Sequence, residues 1–105
     1  MDNFRIIYQI LRLLEKALDL EEIPKDLLSA ERFKISEPRF ARILAAMVNA
    51  GYIQGVEVWN SMEQDYPRYA IYRPEISLKG LEYLTENSMM KKLARGAKGM
   101  IDIIR

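Results

Sequence analysis

The residues between positions 36 and 50 carry side chains suited to contacting a nucleic acid. They read SEPRFARILAAMVNA, and one stripe of a predicted helix over 37–50 combines arginine, asparagine and alanine. Arginine and asparagine pair well with base edges and phosphates, while alanine lets another molecule come close. The predicted DNA contacts in this stretch are Ser36, Arg39, Arg42, Ala46 and Asn49. A solvated helix face explains the same pattern, and the sequence leaves both interpretations open.

Catalytic chemistry has few candidate residues here. The chain has no histidine and no cysteine, so it lacks an imidazole base, a thiolate nucleophile and the usual transition-metal ligands. The carboxylates between Asp19 and Asp26 lack the alternating spacing of a calcium loop. Gly96 and Gly99 lack the Lys-Ser/Thr ending of a phosphate loop. We expect no catalytic residue, no metal site and no cofactor, and we expect that the protein is not an enzyme.

The helix that carries the stripe has well-marked ends. Ser36 is a favourable N-cap, and Glu37 suits the positive end of the helix dipole. Pro38 is tolerated only in the first turn, and Gly51 supplies a left-handed stop. The face opposite the stripe is apolar and is predicted to be core: Phe40, Ile43, Leu44, Met47 and Val48. Ala45 is placed with the outward-facing residues.

Two helices are predicted before this one. Asn3 is expected to cap a first helix that runs to about residue 19, and its apolar residues fall in two adjacent rows. Such a helix is buried on more than one side. Pro24 then suits the first turn of a short helix, PKDLLSAER. Lys34 stands in the following turn, where a helix-turn-helix often has glycine.

A hairpin and another helix are predicted after Gly51. The segments YIQGVEVW and RYAIY are rich in β-branched and aromatic residues and flank the polar loop NSMEQDYP. Ser77 is expected to cap a helix over LKGLEYLTEN, in which Leu78, Leu81 and Leu84 face inward. The order predicts an α+β, mostly helical winged helix-turn-helix. It has three helices, a two-stranded hairpin as the wing, and additional C-terminal helices.

The predicted wing carries charges of both signs. Arg68 and Arg73 are added to the candidate DNA contacts. Acidic residues at Glu57, Glu63 and Asp65 oppose them, and carboxylates near phosphates repel. These carboxylates therefore argue against insertion of the wing into the minor groove of DNA.

Charge is distributed unevenly along the 105 residues. Residues 1–88 carry 11 basic and 14 acidic side chains, while residues 89–105 carry five basic and one acidic. We divide the chain into a winged-helix domain, 1–88, and an amphipathic basic helix, 89–105. That helix is predicted to pack on helix 1 or on a partner in a homodimer, with a membrane-surface helix as the rival interpretation.

Location follows from what the sequence lacks. The absence of cysteine suits a reducing compartment, and no apolar run reaches the length of a membrane span. The start, MDNFRII, does not resemble a signal peptide. We expect a cytoplasmic protein with no membrane partner.

Two blocks of sequence resemble a known family. ISEPRFARILAAMVNAGYIQGV and PEISLKGLEYLTENSMMKK look like the YjcQ-like family of small bacterial and prophage-associated winged-helix proteins. The segment ISLKGLEYL is also similar to the stretch after the wing in MarR- and PadR-type regulators. The resemblance implies the winged-helix fold and carries over no signature residues as a site.

Two functions from different classes remain. The first is a protein that binds double-stranded DNA, such as a prophage-associated transcriptional regulator. Its recognition helix would be formed by residues 37–50. The second is a protein–protein interaction module on the same scaffold without nucleic-acid binding. Analogy with other winged-helix proteins favours the first function. This analogy rests on the fold and not on the chemistry of a site.

Overall fold

The computed structural model of the protein describes residues 2–24 and 26–87. Within these residues, three helices and one two-stranded antiparallel sheet make an α+β fold, consistent with winged-helix topology. The elements are α1 (Asn3–Ala17), α2 (Glu37–Asn49), β1 (Ile53–Trp59), β2 (Arg68–Ile76) and α3 (Leu78–Glu86). The predicted helix over 89–105, and its boundary with the first domain, lie outside the described residues.

Helix α1 begins and ends differently from the prediction. Asp2 is the N-cap and accepts a hydrogen bond from the Phe4 N–H at 3.1 Å, so the assignment of Asn3 as the cap was wrong. The helix ends at Ala17. Most of both apolar rows lies in the domain's own core, whereas Phe4, Leu18 and Leu20 are exposed. The second apolar row predicted for α1 is Ile6, Ile10, Leu13, Ala17 and Leu20, and all but Leu20 pack in or against this core.

The predicted short helix over residues 24–32 is wrong. Among its described residues, the chain forms consecutive turns instead of an α-helix. The Leu27 N–H bonds the Pro24 carbonyl, and Ser29 Oγ accepts from the Arg32 N–H. Serine side chains compete in this way with helical backbone bonds. The segment still supplies core side chains: Leu27, Leu28, Ala30 and Phe33.

The turn into α2 has the geometry of a helix end although it has no glycine. Lys34 has a φ of 58°, in the left-handed region that glycine usually occupies. The Ile35 N–H bonds the Ala30 carbonyl and the Lys34 N–H bonds the Glu31 carbonyl, both at 3.1 Å. This is the hydrogen-bond pair of a Schellman motif. The missing glycine therefore does not prevent the turn.

Helix α2 closely matches the prediction. Ser36 caps it, and its C-terminus closes with bonds from Gly51 N–H to the Val48 carbonyl and from Tyr52 N–H to the Met47 carbonyl. Gly51 has a φ of 82°, so the predicted left-handed stop is confirmed. The predicted core face is buried, apart from Val48, which is half-buried. Ala45 is buried too, so its placement on the outer face was wrong.

The wing is a hairpin with an irregular base. Val56, Val58 and Trp59 of β1 lie opposite Ile71, Tyr69 and Arg68 of β2. Near the base, the register shifts between Gln54 and Val56. This bulge lets β2 continue to Ile76, beyond the predicted RYAIY segment.

Helix α3 is joined to the end of α2 by a compact set of contacts, which we call the Ser77 joint: Gly51, Tyr52, Ser77 and Gly80. Ser77 Oγ donates to the Gly51 carbonyl at 2.5 Å and accepts from the Gly80 N–H at 3.0 Å. The Ser77 N–H also donates to the Tyr52 carbonyl at 3.0 Å. The predicted cap is thus confirmed. The inward placement of Leu78 was wrong, because it is 81 % exposed, and Gly80 is buried instead.

Replacing Gly80 with alanine tests the close packing of this joint. A Cβ at this position would overlap the Tyr52 carbonyl oxygen and lie 2.7 Å from Cγ1 of Ile76. Helix propensity alone predicts a gain of about 1 kcal/mol for Gly→Ala. We instead expect the free energy of unfolding to fall by about 1–3 kcal/mol, as in overpacked cores, measured by urea denaturation. An increase in stability would contradict the packing.

Replacing Ser77 with alanine tests the hydrogen bonds of the joint. The variant loses the cap of α3 and leaves the Gly51 carbonyl without this donor. We expect a loss of about 2 kcal/mol in the free energy of unfolding, from a lost cap plus a lost half-buried hydrogen bond. Ser36→Ala is the matched control, because the exposed Ser36 hydroxyl caps only α2. It should cost about 1 kcal/mol, and equal losses would contradict an added role for Ser77.

Candidate functional site

The outer face of α2 presents part of the predicted stripe. Arg42, Ala46 and Asn49 are exposed and follow one another at helical spacing along the same side of the helix. Ser36 lies at the start of α2 but uses its hydroxyl oxygen as a cap, accepting from the Arg39 N–H at 3.2 Å. The exposed stripe is therefore Arg42, Ala46 and Asn49.

Arg39 connects α2 to the start of α1. Its guanidinium donates from Nε and Nη2 to Oδ1 of Asn3, at 2.8 and 2.7 Å. Asn3 is thus not a cap but the acceptor for a side chain 36 positions away. Using Arg39 to contact DNA would require giving up both bonds.

Arg42 contacts the loop of the wing. Its Nη2 donates to the Asp65 carbonyl at 3.3 Å, and its guanidinium carbon lies 6.0 Å from the centre of the Tyr66 ring. The wing loop, residues 60–67, therefore lies against the first half of α2. The side chain remains exposed, but its immediate surroundings include the carboxylate-bearing Asp65.

The first turn of α2 is tied to the wing by a second contact. The Tyr69 hydroxyl donates to Oε2 of Glu37 at 2.6 Å, and its ring packs edge-on against Phe40 with centroids 5.5 Å apart. Burial raises the pKa of Tyr69, and the hydrogen bond to Glu37 raises it further. The protonated, hydrogen-bonded Tyr69 hydroxyl therefore stabilises the folded protein at neutral pH. This stabilisation is lost as the pH rises above the ordinary tyrosine pKa. The Glu37 carboxylate also occupies the N-terminus of α2, which is the end of a helix that attracts phosphate groups.

A recess of about 350 Å³ lies between these contacts. Gln64 closes the loop beside it, since its Nε2 donates to the Tyr66 carbonyl at 2.9 Å and to the Pro67 carbonyl at 3.3 Å. The recess contains one acidic and one basic side chain, so it has no strong preference for either charge. Its lining residues are Glu37, Gln64, Tyr66, Pro67, Arg68 and Tyr69.

The two wing arginines lie in different places. Arg68 lines the recess and forms an ion pair with Glu63 at 3.0 Å. Arg73 is exposed, in the stretch of β2 that the register shift places opposite Gly55. From residue 53 to residue 76 the hairpin carries four acidic and two basic side chains, so its net charge is −2. Glu57, Glu63 and Asp65 are exposed.

The face of the sheet that points away from the core carries exposed aromatic side chains. Side chains alternate between the two faces of a strand, and Val56, Val58, Tyr69 and Ile71 pack toward the core. We call the opposite side the outer wing face: Glu57, Trp59, Arg68, Ala70, Tyr72 and, at the base, Glu75. Trp59 is 46 % and Tyr72 is 70 % exposed. Hydrogen bonding to the Glu57 carboxylate, with its negative charge, raises the pKa of Tyr72.

The sequence alone does not reveal this face, because cross-strand packing accounts equally well for aromatic residues in a hairpin. Tyr69 does lie opposite Val58 across the hairpin, and its ring packs on Phe40 of α2. Strand alternation was the available signal, because Trp59 has the same parity as the exposed Glu57 and the opposite parity to Val56 and Val58.

Two further searches concern the part of the chain that the structure describes. Within residues 2–24 and 26–87, no group of three or more acidic side chains is arranged to hold a metal ion. None of the helices in that part combines the length and apolar character needed to cross a bilayer.

Comparisons with known proteins identify a family. No curated protein and no solved structure gives a significant match. The family model described as YjcQ protein matches residues 8–103, a span that includes α2, both strands and α3. The chain therefore belongs to the YjcQ family.

Proposed function

We propose that this chain is a non-catalytic protein-interaction module built on a winged-helix-like scaffold. The observation that carries the proposal is the outer wing face, where Trp59 and Tyr72 remain exposed beside Glu57. Tryptophan and tyrosine are enriched in the buried centres of protein interfaces. The core is already filled from the other face of the sheet, so these rings are available to a partner.

The charges near α2 support a protein partner over DNA. Arg39 bonds Asn3, Arg42 bonds the wing loop, and Arg68 pairs with Glu63. DNA affinity depends on lysines and arginines that neutralise phosphates. Three of the four arginines predicted to contact DNA therefore already have partners within the protein, and acidic residues lie beside Arg42 and Arg68.

DNA binding by a transcriptional regulator is the second candidate, favoured by the exposed stripe on α2. Arg42 and Asn49 flank Ala46, which leaves room for a groove edge to approach. The bond from Arg42 to Asp65 is long at 3.3 Å and is made at an exposed site, so it is readily exchanged for a phosphate or a base. In this candidate, α2 lies in the major groove.

Duplex DNA titrations separate the two candidates. Fluorescence anisotropy with a mixed-sequence duplex library is recorded for the full chain, Arg42→Ala and Asn49→Ala at about 50 and 200 mM salt. For an interaction module we expect weak binding that neither substitution changes. Arg32→Ala is the matched control, because Arg32 is exposed and lies before α2.

The result that would overturn the proposal is a selective effect of the α2 variants. A phosphate contact by Arg42 would lower the salt slope of log K by about one when Arg42 is removed. A base contact would remove about 1–3 kcal/mol of binding at one base position, found by binding-site selection. Either effect, absent in Arg32→Ala, would favour the DNA-binding candidate.

A further inference from the structure

We infer that the outer wing face of one copy binds the basic segment of a second copy, residues 89–105. This inference rests on the proposed function, because it names the partner of the interaction module. It depends on three features: an exposed aromatic face, complementary charge, and the position of α3 relative to that face.

On the outer wing face, Trp59 and Tyr72 lie on either side of Glu57. Glu57 lies directly opposite Ala70, and Trp59 lies directly opposite Arg68. Tyr72 is next along β2 on the same side and contacts Glu57. The aromatic rings and the carboxylate therefore form one continuous surface, with Glu75 at its base.

This surface suits a cationic, apolar segment. Lysine and arginine interact favourably with the faces of tryptophan and tyrosine, and their stems pack against apolar surface while the charge reaches a carboxylate. The hairpin has a net charge of −2 from four acidic and two basic side chains. A partner with several basic groups beside apolar side chains is complementary to it.

The sequence of the chain contains one segment of this composition. Residues 89–105 have five basic and one acidic side chain, a net charge of +4. Their apolar residues recur at three- and four-residue steps: Met90, Leu93, Ala97, Met100, Ile101 and Ile104. This spacing predicts a helix with basic and apolar side chains close to each other. The basic groups are complementary to the Glu57 carboxylate, and the apolar groups are complementary to the rings of Trp59 and Tyr72.

The position of α3 favours a second copy over the same chain. Ile76 lies opposite Ile53 at the base of the hairpin, and Trp59 is six residues farther along β1, about 20 Å away. Helix α3 starts at that base and packs on the core side, with Leu84 in the core and Tyr83 against Tyr52. A segment that follows α3 would have to pass around the sheet edge to reach its own outer face. Reciprocal exchange between two copies closes a two-fold dimer instead.

A charge-swap experiment on the full chain tests the inference. The wing variant carries Glu57→Lys and Glu75→Lys, and the segment variant carries Lys91→Glu, Lys92→Glu and Arg95→Glu. We expect light scattering to give a dimer for the parent protein at tens of micromolar. Each variant alone should have a dimer Kd at least about tenfold higher. An equimolar mixture should restore the dimer, because each mutated surface then meets its complement.

Trp59 provides a local readout, because it is the single tryptophan of the chain. Its emission should shift to longer wavelength on dilution, in about 0.5 M salt, where charge pairs are screened, and in each variant alone. Glu82→Lys is the matched control, since Glu82 is an exposed acid on α3, and it should leave both mass and emission unchanged. Circular dichroism melting checks that every variant is folded.

Four outcomes would overturn the inference: a monomeric parent protein, a dimer that survives the wing variant, a mixture that fails to associate, or an equal effect of Glu82→Lys. A segment-dependent shift of Trp59 emission that does not depend on concentration would mean that the segment binds its own chain. None of these outcomes concerns DNA affinity, so the inference and the proposed function can fail separately.

Discussion

The relative positions of α2, the wing and α3 depend on two backbone carbonyl groups, those of Gly51 and Tyr52. Both lie where α2 ends and β1 begins, and both accept hydrogen bonds from Ser77, one from its hydroxyl and one from its N–H. Gly80 allows α3 to approach the same backbone, because a side chain there would overlap the Tyr52 carbonyl oxygen. A buried carbonyl without a donor costs free energy comparable to a lost hydrogen bond. The joint therefore fixes the hairpin to both flanking helices.

Once the base of the wing is fixed in this way, its loop is held beside α2. Tyr69 reaches Glu37 and Arg42 reaches the Asp65 carbonyl, so both contacts join the first half of α2 to the wing. In a DNA-reading winged helix, this region would be expected to be rich in unpaired basic groups. Here it contains Glu37 at the helix start and exposed carboxylates in the loop, and these charges are the reason that we propose a protein partner over DNA.

The two faces of the hairpin have different roles. The inner face completes the core through Val56 and through Tyr69, which packs on Phe40. The outer face places Trp59 and Tyr72 in solvent next to Glu57. A two-stranded sheet packed on one side always leaves its other face uncovered, and natural proteins usually make such a face polar. The exposed aromatic residues at these positions are the basis of the proposed binding surface.

Local patterns in the sequence determined the elements whose signals are local: the cap and glycine stop of α2, the hairpin loop, and the Ser77 cap of α3. They failed at Asn3 because of a distant contact, since Asn3 accepts from Arg39 while Asp2 caps α1. They failed after Pro24 for a local reason, since the Ser29 hydroxyl accepts from the Arg32 N–H where a helix was predicted. The residue types of the candidate site were likewise visible in the sequence, including Arg42, Ala46 and Asn49. Only the tertiary structure decided which arginines are already bonded and which aromatic rings face solvent, because both depend on residues brought together from separate elements.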